Sequence, residues 1–124
     1  MQEELKNLVK QIKENVPGYI GVCVAEMSTG DSLVADSSDS EFDPAMASAY
    51  NVQIINEKRK AIEVLGLNQT LHDIQFNLDS HIHLVNIFPS GDYFIYLALE
   101  ESKANLAITR KLLKTYKTEI QDKL

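Results

Sequence analysis

The spacing of hydrophobic and polar positions changes several times along the chain, and each change marks an element. Leu5, Leu8, Val9 and Ile12 fall at i, i+3, i+4 and i+7, the spacing of one helix face, so Gln2 to Asn15 is read as a helix. Val16-Pro17-Gly18 ends it, because the residue before proline is pushed out of helical backbone and glycine permits the turn. Tyr19 to Met27 is apolar on both parities, Ile20, Val22 and Val24 against Tyr19, Cys23 and Ala25, as in a central strand covered on both faces. Ser28 to Asp31 carries turn residues, and Ser32 to Asp36 reads as the returning strand of a hairpin. Ser37 to Asp43 is a polar, acidic loop. Asp43-Pro44 then opens a second helix, with a capping aspartate and proline at the first helical position. That helix runs to about Leu65 and stops at Gly66.

Three more strands follow. Thr70 to Leu78 alternates His72, Ile74, Phe76 and Leu78 with Asp73, Gln75 and Asn77. His81 to Phe88 is the next, and after the turn residues Pro89-Ser90-Gly91-Asp92 the run Tyr93 to Leu99 is again apolar on both parities. Ser102 is read as the cap of a last helix with Leu106, Thr109, Leu113, Tyr116 and Ile120 in one stripe. The order helix, two strands, helix, three strands, helix predicts an α+β fold over residues 1–124: a five-stranded antiparallel sheet with helices on both faces. The strand from Thr70 has one polar parity, which suits an edge, and a bare edge needs a partner or a cover.

The second helix carries the most information. At about 100° per residue, Tyr50, Ile54, Ala61 and Leu65 cluster and are expected to face the sheet. Ile55 and Ile62 form one flank, and Met46 with Val64 the other. This apolar arc is wider than one sheet contact needs. The opposite side begins with Ala45, Ala49 and Val52 and turns polar at Asn56, Arg59 and Glu63. Small residues on an outer face let another backbone approach, although alanine's helix propensity gives the same pattern.

Size, charge and cysteine count narrow the function classes. The 124 residues suit one domain. The formal net charge is −6 and the basic residues are scattered, so no basic face is offered to nucleic acid or to an anionic membrane. No segment approaches the ~18 apolar residues of a membrane span, and the opening Met1-Gln2-Glu3-Glu4 is unlike a signal peptide. A single cysteine allows no intrachain disulfide and fits a reducing compartment. The expected address is cytoplasmic, without membrane insertion.

Several constellations could carry chemistry. His81 and His83 share one face of a strand, with His72 on the neighbouring strand as a third metal ligand, or the face is simply half exposed. Asp36, Asp39, Glu41 and Asp43 crowd one loop, but a calcium loop closes on a glycine and none lies between Gly30 and Gly66. Cys23 is a nucleophile only if a base reaches it, and inside an apolar strand it reads as an inert thiol. Arg59 could act as an arginine finger toward a GTPase, or belong to a solvated basic patch with Lys58 and Lys60. Phosphate-loop, dinucleotide-binding and nucleophile-elbow patterns are missing, so the chain is no Walker-type GTPase and no cofactor is expected.

The element order and several strings resemble the Roadblock domain, the dynein light chain roadblock type. Val16-Pro17-Gly18 before an apolar strand and a Gly30 hairpin resembles its opening. The alanine-rich start of the second helix and its end at Leu65-Gly66-Leu67 resemble its middle, and Ser102-Lys103-Ala104-Asn105-Leu106 resembles the start of its last helix. The match covers almost the whole chain. The acidic, serine-rich loop Ser37–Asp43 departs from it. The resemblance implies a profilin-like fold, a non-catalytic role, and a homodimer with the second helix and third strand in contact. Ile55, Ile62, Ile74 and Phe76 are the residues expected there. Family members regulate small Ras-like GTPases, including bacterial cell-polarity GTPases, or serve as dynein light chains and membrane-signalling scaffolds. The expected function is therefore a dimeric module that regulates a small Ras-like GTPase or joins a larger assembly, docking through Ala45, Ala49, Val52, Asn56, Arg59 and Glu63. The alternatives are a scaffold or light-chain subunit without effect on GTP turnover, and a small-molecule or metal sensor built on the histidine strand.

Overall fold

A computed structural model describes residues 1–124. The chain forms α1 (Gln2–Asn15), β1 (Tyr19–Glu26), β2 (Ser32–Ser37), α2 (Pro44–Val64), β3 (Asp73–Asn77), β4 (His81–Ile87), β5 (Tyr93–Glu100) and α3 (Leu106–Ile120). The strands make one sheet in the order β2-β1-β5-β4-β3, with every neighbouring pair antiparallel. β5 lies in the middle, and Phe94 to Leu99 are all buried, as the double apolar parity requires. β3 and β2 are the edges.

The two faces of the sheet are covered differently. On one face α1 brings Leu5, Leu8, Val9 and Ile12, and α3 brings Leu113, Tyr116 and Ile120, against Val22, Val24, Leu84, Ile95 and Leu97. Burying each large aliphatic side chain contributes about 1.5–3 kcal/mol, so this layer dominates stability. On the other face α2 packs on β1, β2 and β5 and leaves β4 and β3 without a helix over them.

Two caps fix the helix starts. The Asp43 side chain accepts a hydrogen bond from the Met46 N–H at 3.1 Å. The cap of α3 is Asn105, whose Oδ1 accepts from the Ile108 N–H at 3.1 Å, and not Ser102. Glu101 to Lys103 are taken up by a single 3₁₀ turn that leads the chain off β5, so the helix starts later than the serine suggests. β3 is also shorter than the alternating run, because only Asp73 to Asn77 pair with β4. At Gly18, φ is +75° and an added Cβ would sit 2.9 Å from the Glu100 carbonyl oxygen, so the end of β5 closes on this turn at a distance only glycine allows.

The phase of α2 differs from the one the apolar spacing predicts. Its buried face is Pro44, Ser48, Asn51 and Ile55. Tyr50, Ile54 and Leu65 point outward, with Tyr50 64% and Ile54 40% exposed. The helix is thus turned by about one residue, ~100°, from the expected orientation. Gly21 of β1 explains this. A Cβ there would lie 3.1 Å from Pro44 Cγ and 3.2 Å from Phe42, so the start of α2 settles into the gap that glycine leaves. Small Ser48 follows, and the bulky apolar residues are carried to the flank. Ile55 is 0% exposed and belongs to this chain's own core, so it is not a surface for self-contact.

Candidate functional site

The uncovered half of the sheet and the displaced apolar flank of α2 meet in a groove of about 350 Å³. Ala47, Tyr50, Asn51 and Ile54 of α2 line one side, and Phe76 and Leu78 of the β3 edge the other. Phe42, His83 and Tyr96 form the floor. Leu78, just past the end of the edge strand β3, is an apolar side chain 52% exposed.

The floor holds a short polar chain. Tyr96 Oη lies 2.9 Å from His83 Nδ1, and His83 Nε2 lies 3.3 Å from His81 Nδ1. One proton assignment satisfies all three: the phenol donates to Nδ1, and Nε2–H donates to His81. The Phe42 ring packs beside both imidazoles, tilted to His83 and edge-on to His81, with centroids 5.7 Å and 6.2 Å away. Burial, and then the neighbouring His81, holds the His83 pKa below the usual histidine value, and burial pushes the Tyr96 phenol up. Both groups are therefore neutral near pH 7. Asn51 Nδ2, also at the groove, is buried with no hydrogen-bond partner within the chain.

A depressed histidine pKa ties stability to pH. The unfolded chain takes up the proton first, so stability is full above the unfolded value of about 6.5 and falls as pH drops from there toward the folded value. Thermal melts of the wild type are expected to lose midpoint between pH 7.5 and 5.5, and His83→Gln, which cannot take a proton, is expected to flatten that slope. An unchanged slope in the variant would assign the effect to other groups.

The other constellations are pulled apart. His72 lies outside β3 and lines the cleft on the opposite face of the sheet beside Asp73 and Asn86, away from His81 and His83. No group of three histidine, cysteine or carboxylate side chains converges. The acidic loop divides into separate tasks: Asp36 pairs with Lys13 at 3.5 Å, Asp39 accepts from the Glu41 N–H at 2.9 Å, and Asp43 caps α2. Cys23 is fully buried, 3.4 Å from Ser32 Oγ, and burial raises its pKa, so it stays a thiol.

The outer residues of α2 separate as well. Ala49, Asn56 and Glu63 are exposed and Ala45 is half exposed. Val52 leans onto the sheet-facing core, and Arg59 Nη2 donates to the Gly91 carbonyl at 3.0 Å, which ties α2 to the β4–β5 turn. Ile62 is half buried, while Ile74 and Phe76 are half buried on the open sheet face. Asn51 and Tyr96 are the groove residues that the sequence does not announce, and His83 is singled out there only as a metal-ligand candidate. Polar side chains inside a helix or strand signal nothing until the opposing surface is known.

No helix is long and apolar enough to cross a membrane. No family model and no curated protein sequence matches the chain. Solved structures do. Myxococcus xanthus MglB superposes with a TM-score of 0.84 at 9% identity, covering 98% of this chain and 87% of that one. A Roadblock/LC7 domain from Streptomyces avermitilis gives 0.77 at 14% identity, covering 98% and 95%. The gliding protein MglB from Thermus thermophilus gives 0.76 at 11% identity, covering 94% and 84%. With its five antiparallel strands, two helices on one face and one on the other, the chain has the fold of the Roadblock/LC7 and MglB structures.

Proposed function

We propose that the chain is a non-catalytic, homodimeric binding module that regulates a small Ras-like GTPase. The observation that carries this reading is the open half of the sheet, an apolar groove beside an unpaired strand edge. A two-fold axis normal to the sheet beside β3 pairs the two edges antiparallel and joins the two grooves on one face. Tyr50, Ile54 and Leu78, with Ile74 and Phe76, then make the self-contact, and a partner carbonyl reaches Asn51. The two α2 helices flank the joined groove on one face and present Ala45, Ala49, Asn56 and Glu63, with Val52 and Arg59 at the margin, as a low-relief docking surface with polar edges. The GTPase as partner rests on the sequence resemblance to Roadblock domains and on the fold shared with MglB.

The test uses a small Ras-like GTPase from the same organism, with binding and GTP hydrolysis measured together. The wild type is expected to bind and to change turnover. Ala49→Arg is expected to keep fold and dimer and to weaken binding about thirtyfold or more, because a bulky charge at a contact centre must be desolvated. Circular dichroism and light scattering control for fold and dimer. Binding without altered turnover would make the chain a scaffold. Unaltered binding by Ala49→Arg would move the docking surface off α2.

A further inference from the structure

On the sheet face opposite the groove, α3 stands away from β3 and β4 and leaves a cleft of about 550 Å³, within the usual range of small-molecule sites. Arg110, Lys114 and Lys117 fall at i, i+4 and i+7 on α3 and line one wall. On the other wall Asp73 of β3 stands opposite Asn86 of β4 in register. Two of the three cations are positioned from within the protein. Lys117 Nζ donates to the Ile87 carbonyl at 3.1 Å and keeps two donors free. Arg110 Nε lies 3.3 Å from Asp73 Oδ2, and its Nη2 donates to Gln75 Oε1 at 2.9 Å.

Three features together define a ligand. Three cations face a single carboxylate, in a chain whose net charge is −6, so the cleft concentrates positive charge against the trend of the molecule. Asn86 Oδ1 is buried in the wall with no hydrogen-bond partner, an acceptor that requires a hydroxyl or N–H. None of the nine lining residues is hydrophobic and His72 is the only aromatic ring among them, so the wall favours a polar ligand.

We propose that this cleft binds a phosphorylated polyol, its phosphate held by Lys114, Lys117 and Arg110 and a hydroxyl donating to Asn86 Oδ1. Burial lowers the Lys117 pKa, and a phosphate beside it would raise it again. The site lies on a different face from the groove and does not depend on dimerisation or on a GTPase. The same chemistry occurs in a soluble polyol phosphate and in a glycerophosphate lipid headgroup.

Calorimetry and amide chemical-shift mapping of the full chain at low ionic strength test the assignment, with glycerol phosphate, inorganic phosphate and glycerol as probes. Glycerol phosphate is expected to bind saturably and to shift Asn86, Lys114 and Lys117, inorganic phosphate to bind more weakly, and glycerol not at all. Lys114→Gln, on an exposed position that the fold does not use, is expected to weaken binding about tenfold. Asn86→Ala is expected to reduce the affinity for glycerol phosphate to that for inorganic phosphate. Vesicles of phosphatidylglycerol, against phosphatidylcholine, separate the sources. Vesicle binding displaced by glycerol phosphate assigns the headgroup, and binding of glycerol phosphate without vesicle binding assigns the soluble ligand. No saturable binding by glycerol phosphate, equal affinity for it and inorganic phosphate, or full binding by Lys114→Gln would overturn the proposal.

Discussion

Ile54→Asp should be a folded monomer at micromolar concentrations, where the wild type is expected to have twice the chain mass. Ile54 is 40% exposed on the flank of α2 and lines the groove with Tyr50 and Phe76. In the monomer a carboxylate there meets water and disturbs nothing. In a two-fold dimer it is buried twice, once from each protomer, against apolar side chains. An unpaired buried charge costs several kcal/mol, so the pair lowers the association constant by many powers of ten. Light scattering reads the mass and circular dichroism the fold. A dimer that survives this substitution would place the self-contact elsewhere and remove the main support for the functional reading.

The neighbouring position should behave in the opposite way. Ile55→Ala is expected to cost about 2–5 kcal/mol of folding stability, because it empties a fully enclosed site between α2 and the sheet, against Val85, Phe94 and Tyr96 among others. Ile54→Ala, measured in a monomeric Tyr50→Asp background, should stay within about 0.5 kcal/mol, as surface substitutions do. Urea unfolding curves with constant slope give both numbers. The contrast between adjacent residues measures the rotational setting of α2 directly. Equal losses would mean that the helix sits on the sheet in a different phase.

That setting is also where the sequence was hardest to read. The stripes of α1 and α3 were legible because each helix meets one surface, so Leu5, Leu8, Val9 and Ile12, or Thr109, Leu113, Tyr116 and Ile120, repeat at helical spacing and are buried, with Leu106 at the start of the α3 stripe half buried. The double apolar parity of β1 and β5 likewise placed both inside the sheet. α2 has two surfaces to satisfy. Its larger apolar residues lie on the flank that remains open, and its sheet contact is made by Pro44, Ser48 and Asn51 together with Ile55. A rule that counts hydrophobic residues finds the first surface and misses the second, whose position is decided by Gly21 on another element. His72 failed for a related reason. Strand parity assigns it to the face of Ile74 and Phe76, but pairing begins at Asp73 and parity does not extend beyond the ladder. The cleft under α3 was invisible because it joins residues of β3, β4 and α3 that only the register and the helix docking bring together.

The enclosure of Cys23 supplies a clock for the whole molecule. The only sulfhydryl of the chain has no accessible surface and is held protonated, so a thiol reagent in native buffer reacts with it only during an opening of the sheet. When reclosing is faster than the reagent, the labelling rate measures the fraction of molecules open at equilibrium, with no denaturant and no extrapolation. The same trace, followed against protein concentration, reports how much a second subunit suppresses that opening, since association adds its own free energy to the closed state.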